Sequence, residues 1–389
     1  MGGDGHPNPP LSLYIHIPWC VRKCPYCDFN SHAAREPIPE AAYGEALLSD
    51  LDRDLAGLGE GLPPLISLFI GGGTPSLFSG AAIARLLGGI RQRLPLDPTT
   101  EITLEANPGT ADAASFAAYR AAGVNRLSLG VQSLNADRLR DLGRIHGPEE
   151  ARRAFRLARQ AGFDNINLDL MYGLPHQDLT QARTDLTLAL TLEPEHLSYY
   201  QLTLEPNTHF HASPPPLPDD DLGADMQLQG LELLSASGFA QYEVSAHAQS
   251  GRQCRHNLNY WTFGDYVGIG AGAHGKRRNP ITGLTWRQAK PRQPLAYLKA
   301  LENPDPVGSR WMLKSEDLVL EFAMNALRLT AGFDRRLFAQ STGLDLDLIA
   351  APLASGAEAG LLEIRGPWVR PTERGRWFLN DLLGRFMPD

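Results

Sequence analysis

The chain has 389 residues, enough for two or three ordinary domains, and its 43% hydrophobic and 21% charged residues are globular proportions. Its 36 Lys and Arg against 44 Asp and Glu leave a formal charge of −8, which opposes indiscriminate binding to nucleic acid or an anionic membrane. No apolar run approaches the roughly 20 residues needed to cross a bilayer, and Met1 to Pro10 lacks the cationic and apolar stretches of a secretory signal. Four cysteines cannot form a disulfide scaffold in this length, so the expectation is a cytoplasmic protein in a reducing compartment, with at most peripheral membrane contact.

Short apolar runs recur along the first two hundred residues: Leu11 to Ile17, Leu65 to Ile70, Glu101 to Ala106, Arg126 to Val131, Asn165 to Met171 and Leu197 to Leu204. Between them, Glu40 to Leu58, Gly80 to Leu94, Glu149 to Ala161 and Thr180 to Leu192 carry apolar residues at helical spacing. Alternating strands and helices imply parallel pairing with right-handed crossovers. Six units are too few for a full eight-stranded barrel, so the expected fold is α/β, a partial (β/α)6 barrel. Thr74, Glu105, Gln132 and Asp169 stand at the downstream ends of the runs, where parallel α/β architectures place their ligand site.

Glu205 to Asp221 is proline-rich and reads as a loop, with Asp219, Asp220 and Asp221 at the positive end of a helix running to about Ser237. Phe239 to Ser245 alternates as a strand. Gly268, Gly270, Gly272 and Gly275 mark a flexible or closely packed stretch. Asn303 to Val307 reads as a linker. Beyond it come a helix over Ser315 to Leu329, a hairpin of Leu361 to Ile364 with Trp368 to Pro371, and an amphipathic helix over Glu373 to Phe386. These divide the chain into a barrel (1–245), a motif-bearing extension (246–302) and a smaller C-terminal α+β domain (303–389) of winged-helix-like order. With the acidic balance, a packing role is favoured there over a nucleic-acid role.

Three cysteines fall in Cys20-Val21-Arg22-Lys23-Cys24-Pro25-Tyr26-Cys27, directly after the first strand. Pro18 and Pro25 work against a regular helix, so a loop wraps the thiols around something compact. Three thiolates can hold three corners of a cubane iron–sulfur cluster and leave one iron open. Zinc is the alternative, completed by His16, His32 or Cys254.

Cys-x-x-x-Cys-x-x-Cys with an aromatic before the last Cys resembles the radical S-adenosylmethionine (SAM) signature. Nearly the whole chain is similar to the HemW-type heme chaperones of that superfamily, relatives of oxygen-independent coproporphyrinogen III dehydrogenase. The resemblance rests on Tyr14-Ile15-His16-Ile17-Pro18-Trp19-Cys20, Gly71-Gly72-Gly73-Thr74-Pro75-Ser76, Glu105-Ala106-Asn107-Pro108-Gly109, Gly130-Val131-Gln132-Ser133, Asn167-Leu168-Asp169-Leu170 and His256-Asn257-Leu258-Asn259-Tyr260-Trp261. It implies a 4Fe-4S cluster on Cys20, Cys24 and Cys27, with SAM on the open iron. Gly72, Gly73 and Thr74 would then meet the amino-acid end of SAM, Glu105 would be a further SAM contact, and Gln132 and Asp169 would meet its ribose. Arg144 would lie near its carboxylate, and Tyr14 and Tyr26 would flank the cluster.

Each of these residues also has a plain structural reading: a turn for the glycines, an internal salt bridge for Glu105, a surface position for Arg144, core packing for the tyrosines. Two departures from the dehydrogenase pattern, Asp28-Phe29 after Cys27 and a first strand that begins almost at once, put porphyrinogen decarboxylation in doubt. The resemblance therefore implies heme carriage to respiratory apo-proteins, with an electron donor for the cluster and no nucleic acid. Oxygen-independent coproporphyrinogen III oxidation is the alternative. His256 is the candidate axial heme ligand, in competition with His209, His247, His274 and Cys254 and with a role in tying down its own loop.

Overall fold

Apolar runs buried on both faces build the centre of the molecule, since a parallel sheet wrapped by helices leaves its strands little contact with water. The computed structural model describes residues 10–56, 62–279, 281–303 and 308–387. The chain begins with β1 (Leu11–Ile17), β2 (Trp19–Cys20), β3 (His32–Ala33), α1 (Glu40–Ala56), β4 (Leu65–Gly72), α2 (Gly80–Arg91) and β5 (Leu96–Ala106). It continues through α3 (Ala113–Ala122), β6 (Arg126–Gln132), α4 (Ala136–Asp141), α5 (Pro148–Gln160), β7 (Ile166–Tyr172), α6 (Leu179–Leu190) and β8 (His196–Gln201). Next come α7 (His209–Ala212), α8 (Asp220–Ala236), β9 (Ala240–Glu243), β10 (Ala246–Ala248), α9 (Arg255–Trp261), β11 (Asp265–Ile269), β12 (His274–Arg278), β13 (Thr285–Ala289), α10 (Pro294–Ala300) and β14 (Ser309–Met312).

Among the described residues these strands form one sheet in the order β14-β13-β12-β11-β1-β4-β5-β6-β7-β8-β10-β9, with β2 and β3 paired apart. The run from β11 to β8 is parallel throughout and makes the partial barrel. All six predicted strands are in it, and β11 adds a seventh. That strand lies in the stretch whose glycines read only as a flexible or closely packed segment. The glycines serve close backbone approach, because a Cβ on Gly268 would sit 1.8 Å from the His274 carbonyl oxygen.

Other departures are local. The predicted strand Phe239 to Ser245 is the hairpin β9–β10, turned between Glu243 and Ala246. The proline-rich loop contains the short α7, and α8 begins where expected, capped by the Asp219 side chain on Leu222 N. Met1 to Pro9, the Leu58 end of the first predicted helix and most of the Asn303 to Val307 linker lie outside the described residues.

The C-terminal unit runs α11 (Ser315–Ala326), β13's partner strand aside, into β15 (Phe333–Asp334), α12 (Arg336–Thr342), α13 (Asp347–Glu358), β16 (Leu362–Arg365) and β17 (Trp368–Pro371). Helix, strand, two helices and a hairpin, closed by the sheet β15-β17-β16, is winged-helix order. The predicted final helix is broken at Phe378 into α14 (Glu373–Trp377) and α15 (Leu379–Leu383). This unit has its own core around Phe322, Phe338 and Leu353. Arg328 ties it to the barrel, paired with Glu243 at 2.8 Å and lying over the Trp261 ring at 4.3 Å.

A buried ion cluster closes the β11 side of the barrel. Lys290 Nζ meets Asp50 at 2.6 Å and Asp54 at 2.9 Å, while the Tyr297 hydroxyl donates to Asp50 at 2.8 Å. Lys290→Met leaves two carboxylates buried without their cation and is expected to cost about 3–5 kcal/mol, read as a lower urea midpoint. A midpoint equal to that of the parent would refute this role.

Candidate functional site

The cysteine loop is held by its backbone. His32 N donates to Pro18 O at 2.7 Å and Ala34 N to Cys20 O at 2.8 Å, folding residues 20–32 into an arch over the end of β1. The end of β4 closes on the same arch, through Gly73 N to Ile17 O at 2.8 Å and Thr74 N to Trp19 O at 2.7 Å. A Cβ on Gly73 would lie 2.6 Å from Trp19 O, and one on Gly72, whose φ is +117°, would lie 2.6 Å from the His16 ring. These glycines are therefore required first for the chain to pack against itself, and only then border a ligand.

The arch roofs a cavity of about 330 Å³ at the downstream ends of the strands, within the usual size range of a small-molecule site. Cys20, Cys24 and Cys27 line it, together with Tyr26, Gly72, Gly73, Thr74, Glu105, Gln132, Arg144 and Asp169. These eleven come from six separate stretches of the sequence and meet around one cavity. Tyr14 and His256 do not line it.

The floor carries two carboxyl groups. Glu105 accepts from Gly72 N at 3.1 Å, and burial, reinforced by Asp169, pushes its pKa up to about 7. Asp169 accepts from Ser128 Oγ at 3.2 Å and Asn167 Nδ2 at 2.8 Å, and burial raises its pKa too. Gln132 takes a left-handed φ of 68° beside an irregularity in the β6–β7 register, which turns its side chain inward. The Tyr200 hydroxyl donates to Gln132 Oε1 at 2.9 Å, so the amide NH₂ is left for a ligand acceptor.

Arg144 donates to Gly130 O at 2.7 Å and points Nη1 at Cys24 Sγ, 3.6 Å away, while its buried Nε has no partner. His146 fixes the same loop through Val131 O at 3.1 Å and Asn107 Oδ1 at 3.3 Å. Tyr26 packs beside Phe210, whose N–H donates to Pro25 O at 3.0 Å, pinning α7 against the arch. Ser128, Ser198, Tyr200 and His146 were not among the sequence candidates. Ser128 and Ser198 pair in register with the candidates Glu105 and Asp169, and Tyr200 shares the inward side of Ser198, a link that only the sheet register reveals.

Among the described residues no three Cys, His, Asp or Glu side chains converge closely enough to share one metal ion. The three thiols instead spread along one cavity, which suits a polynuclear cluster whose irons each take one thiolate. The proposed zinc partners are occupied elsewhere. His16 accepts from the Tyr14 hydroxyl at 2.9 Å and donates to Asn30 O at 2.8 Å, His32 meets Asn30 Oδ1 at 3.3 Å, and Cys254 is buried beside Glu101. Burial pushes the Cys20 and Cys27 thiols up, so holding them as thiolates takes a strongly cationic group. An unpartnered guanidinium nitrogen, acidic groups facing inward and an array of three thiols fit an iron–sulfur cluster with an amino-acid-bearing cation beside it.

His256, the candidate heme ligand, is 2% exposed, with Nδ1 bonded to Ser67 Oγ at 3.0 Å and Nε2 to the Tyr260 hydroxyl at 3.0 Å, bonds that iron ligation would have to replace. Tyr14, expected to flank the cluster, lies just below the cavity lining, within reach of the Glu105 charge. Its ring packs between Phe69 and His256, at centroid distances of 6.3 and 6.2 Å. Both belong to the layer beneath the cavity, where the His256-Asn257-Leu258-Asn259-Tyr260-Trp261 motif ties α9 to the barrel strands.

A partial barrel with three cysteines arched over its β1 end defines a radical SAM protein. The radical SAM superfamily profile matches residues 14–189, and that of the HemN C-terminal domain matches residues 313–378. The chain is 51% identical to the heme chaperone HemW of Escherichia coli K12, over 98% of this chain and 99% of that one. It is 36% identical to that of Bacillus subtilis, over 97% and 99%. Coproporphyrinogen III oxidase (HemN) from Escherichia coli shares the fold, with a TM-score of 0.81 and 24% identity over 98% of this chain and 91% of that one. The chain belongs to the HemW family. Membership of the radical SAM superfamily implies a 4Fe-4S cluster and SAM.

Glu105 supplies a test of the floor. A carboxyl whose folded pKa lies above its unfolded value lowers stability as pH rises from the unfolded to the folded value, and the cost stays above it. Glu105→Gln in the cofactor-free protein is therefore expected to be neutral near pH 4.5 and stabilising by on the order of 1–3 kcal/mol at pH 8. Denaturant titrations at the two pH values check this, and an identical offset at both would contradict it.

Proposed function

We propose that this protein binds heme and delivers it to acceptor apo-proteins, using a 4Fe-4S cluster held by Cys20, Cys24 and Cys27 together with exchangeable SAM. The observation that carries this reading is end-to-end similarity, at 51% identity, to a protein named heme chaperone HemW. The cavity supports the cofactor part. Three thiols leave one iron for an outside ligand, and when bound the cluster supplies that open iron and a reducing electron to the sulfonium.

In this reading Arg144 takes the SAM carboxylate, its free Nε and forked donors suiting a planar anion. Thr74 and the Gly72–Gly73 backbone border the amino-acid end, and Glu105 faces its ammonium. Asp169 accepts from the ribose hydroxyls while the oriented Gln132 amide donates to them. Tyr26 closes the side against α7. Tyr14 supports the cofactor site from beneath, and His256 is the candidate axial heme ligand, engaging iron only when its bonds to Ser67 and Tyr260 open. The division at 245/246 and 302/303, respiratory acceptors, an electron donor for the cluster and a cytoplasmic location belong to the same proposal. No helix of the described residues is long and apolar enough to cross a membrane.

End-to-end similarity to proteins named heme chaperone HemW favours this reading over porphyrinogen decarboxylation. The tests are direct. Anaerobically reconstituted protein is expected to take up heme stoichiometrically with a Soret band and to pass it to an apo-cytochrome, without releasing carbon dioxide from coproporphyrinogen. Absence of both heme uptake and transfer would sink the reading. Cys20→Ala, Cys24→Ala and Cys27→Ala are each expected to lose the cluster, read as iron and sulfide content. Arg144→Ala is expected to keep the iron and weaken SAM by about tenfold or more, in line with loss of a charge-assisted pair; equal affinity by calorimetry rejects that role.

A further inference from the structure

Beneath the cavity floor the barrel lumen holds a charge that none of the assigned roles uses. Arg126 begins β6 and pairs in register with Thr103 of β5, while Ser128, two residues on, pairs with Glu105 and donates to Asp169. Strand alternation therefore sets Arg126 on the same inward side as the cavity floor, one step deeper. It is 2% exposed, its Nε has no hydrogen-bond partner, and no carboxylate forms an ion pair with it among the described residues.

The other deeply buried cations are paired: Lys276 with Asp265 at 3.0 Å, and Lys290 with Asp50 and Asp54. A buried guanidinium with no direct ion pair is costly to keep. Buried Cys254 and Glu101 act on it most strongly, the Glu101 carboxylate being held by Arg255 N and His256 N, and its field also favours the ionised forms of Glu105 and Asp169 against the opposing effect of burial.

We propose that Arg126 is a positioning residue that acts through space on Glu105 and Asp169, keeping both as carboxylates so that the cavity prefers a cationic sulfonium ligand to its neutral thioether counterpart. This rests on the cavity being the SAM site. Without Arg126 the two carboxyl groups share a buried floor with no cation beneath them, and one of them takes a proton. The cavity then keeps its shape and loses its charge selectivity.

Calorimetry on the anaerobically reconstituted protein, titrated separately with SAM and S-adenosylhomocysteine, tests this. Arg126→Gln is expected to weaken SAM by about tenfold, the equivalent of one pKa unit, and S-adenosylhomocysteine by less than about twofold. Arg126→Lys, which keeps the charge, is expected to retain the preference. Equal losses for both ligands would mark Arg126 as merely structural, and no loss, or loss of preference in Arg126→Lys, would equally overturn the proposal. A parent protein that binds neither ligand would overturn the SAM site itself, a result distinct from any of these. Should Arg126→Gln not fold, infrared spectroscopy of the parent at pH 8 reads the same point. A protonated-carboxyl band removed by Glu105→Gln or Asp169→Asn would contradict the proposal, and its absence would support it.

Discussion

The site depends on one steric constraint, the docking of the glycine end of β4 against the backbone of the cysteine arch. Gly72 and Gly73 lie so close to His16 and Trp19 that a side chain at either position would overlap them. That contact lets Gly73 N and Thr74 N bond to carbonyls between Ile17 and Trp19. The arch is thereby fixed at the mouth of the barrel, and three thiols spaced along a loop become three thiols facing one cavity. The glycine run and the cysteine run are two halves of a single joint.

Inside that joint the barrel lumen departs from ordinary packing. Most parallel barrels fill their interior with branched apolar side chains. Here Glu105, Ser128, Asn167, Asp169 and Arg126 occupy inward positions, and the apolar residues of the same strands face the helices. Polar groups buried at this density stay only when each finds a partner or a ligand. Most are satisfied within the protein. Among the buried polar atoms without a partner are Arg144 Nε at the rim and Arg126 Nε and Thr103 Oγ1 below the floor. Part of the surplus hydrogen-bonding capacity thus lies where a charged cofactor would sit.

Much of this was legible in the sequence because its signals are local. Each of the six early strands is a short apolar run ended by a breaker, and the edge residues Thr74, Glu105, Gln132 and Asp169 do meet in one cavity. What stayed hidden depends on distant partners. β11 is central because it pairs with β1, some 250 residues earlier in the chain, and its glycines are there to let strands and loops approach. For His256 the sequence left heme ligation and loop-tying hydrogen bonds both open, because it reports the residue's chemistry and not that Ser67 and Tyr260 meet both its nitrogens. Tyr14 alternates correctly for an inward residue, yet which layer of the lumen it reaches is fixed by strand stagger, which no single strand reveals.

The central claim is an iron that the protein leaves for SAM. Electron paramagnetic resonance of the reduced, anaerobically reconstituted protein, recorded with and without SAM labelled with ¹⁷O in its carboxylate, examines that iron directly. Coordination by the amino-acid group shifts the cluster signal and adds a hyperfine coupling from the labelled oxygen. A spectrum indifferent to SAM, with no such coupling, would mean that the cluster has no vacant corner and that the cavity serves another ligand.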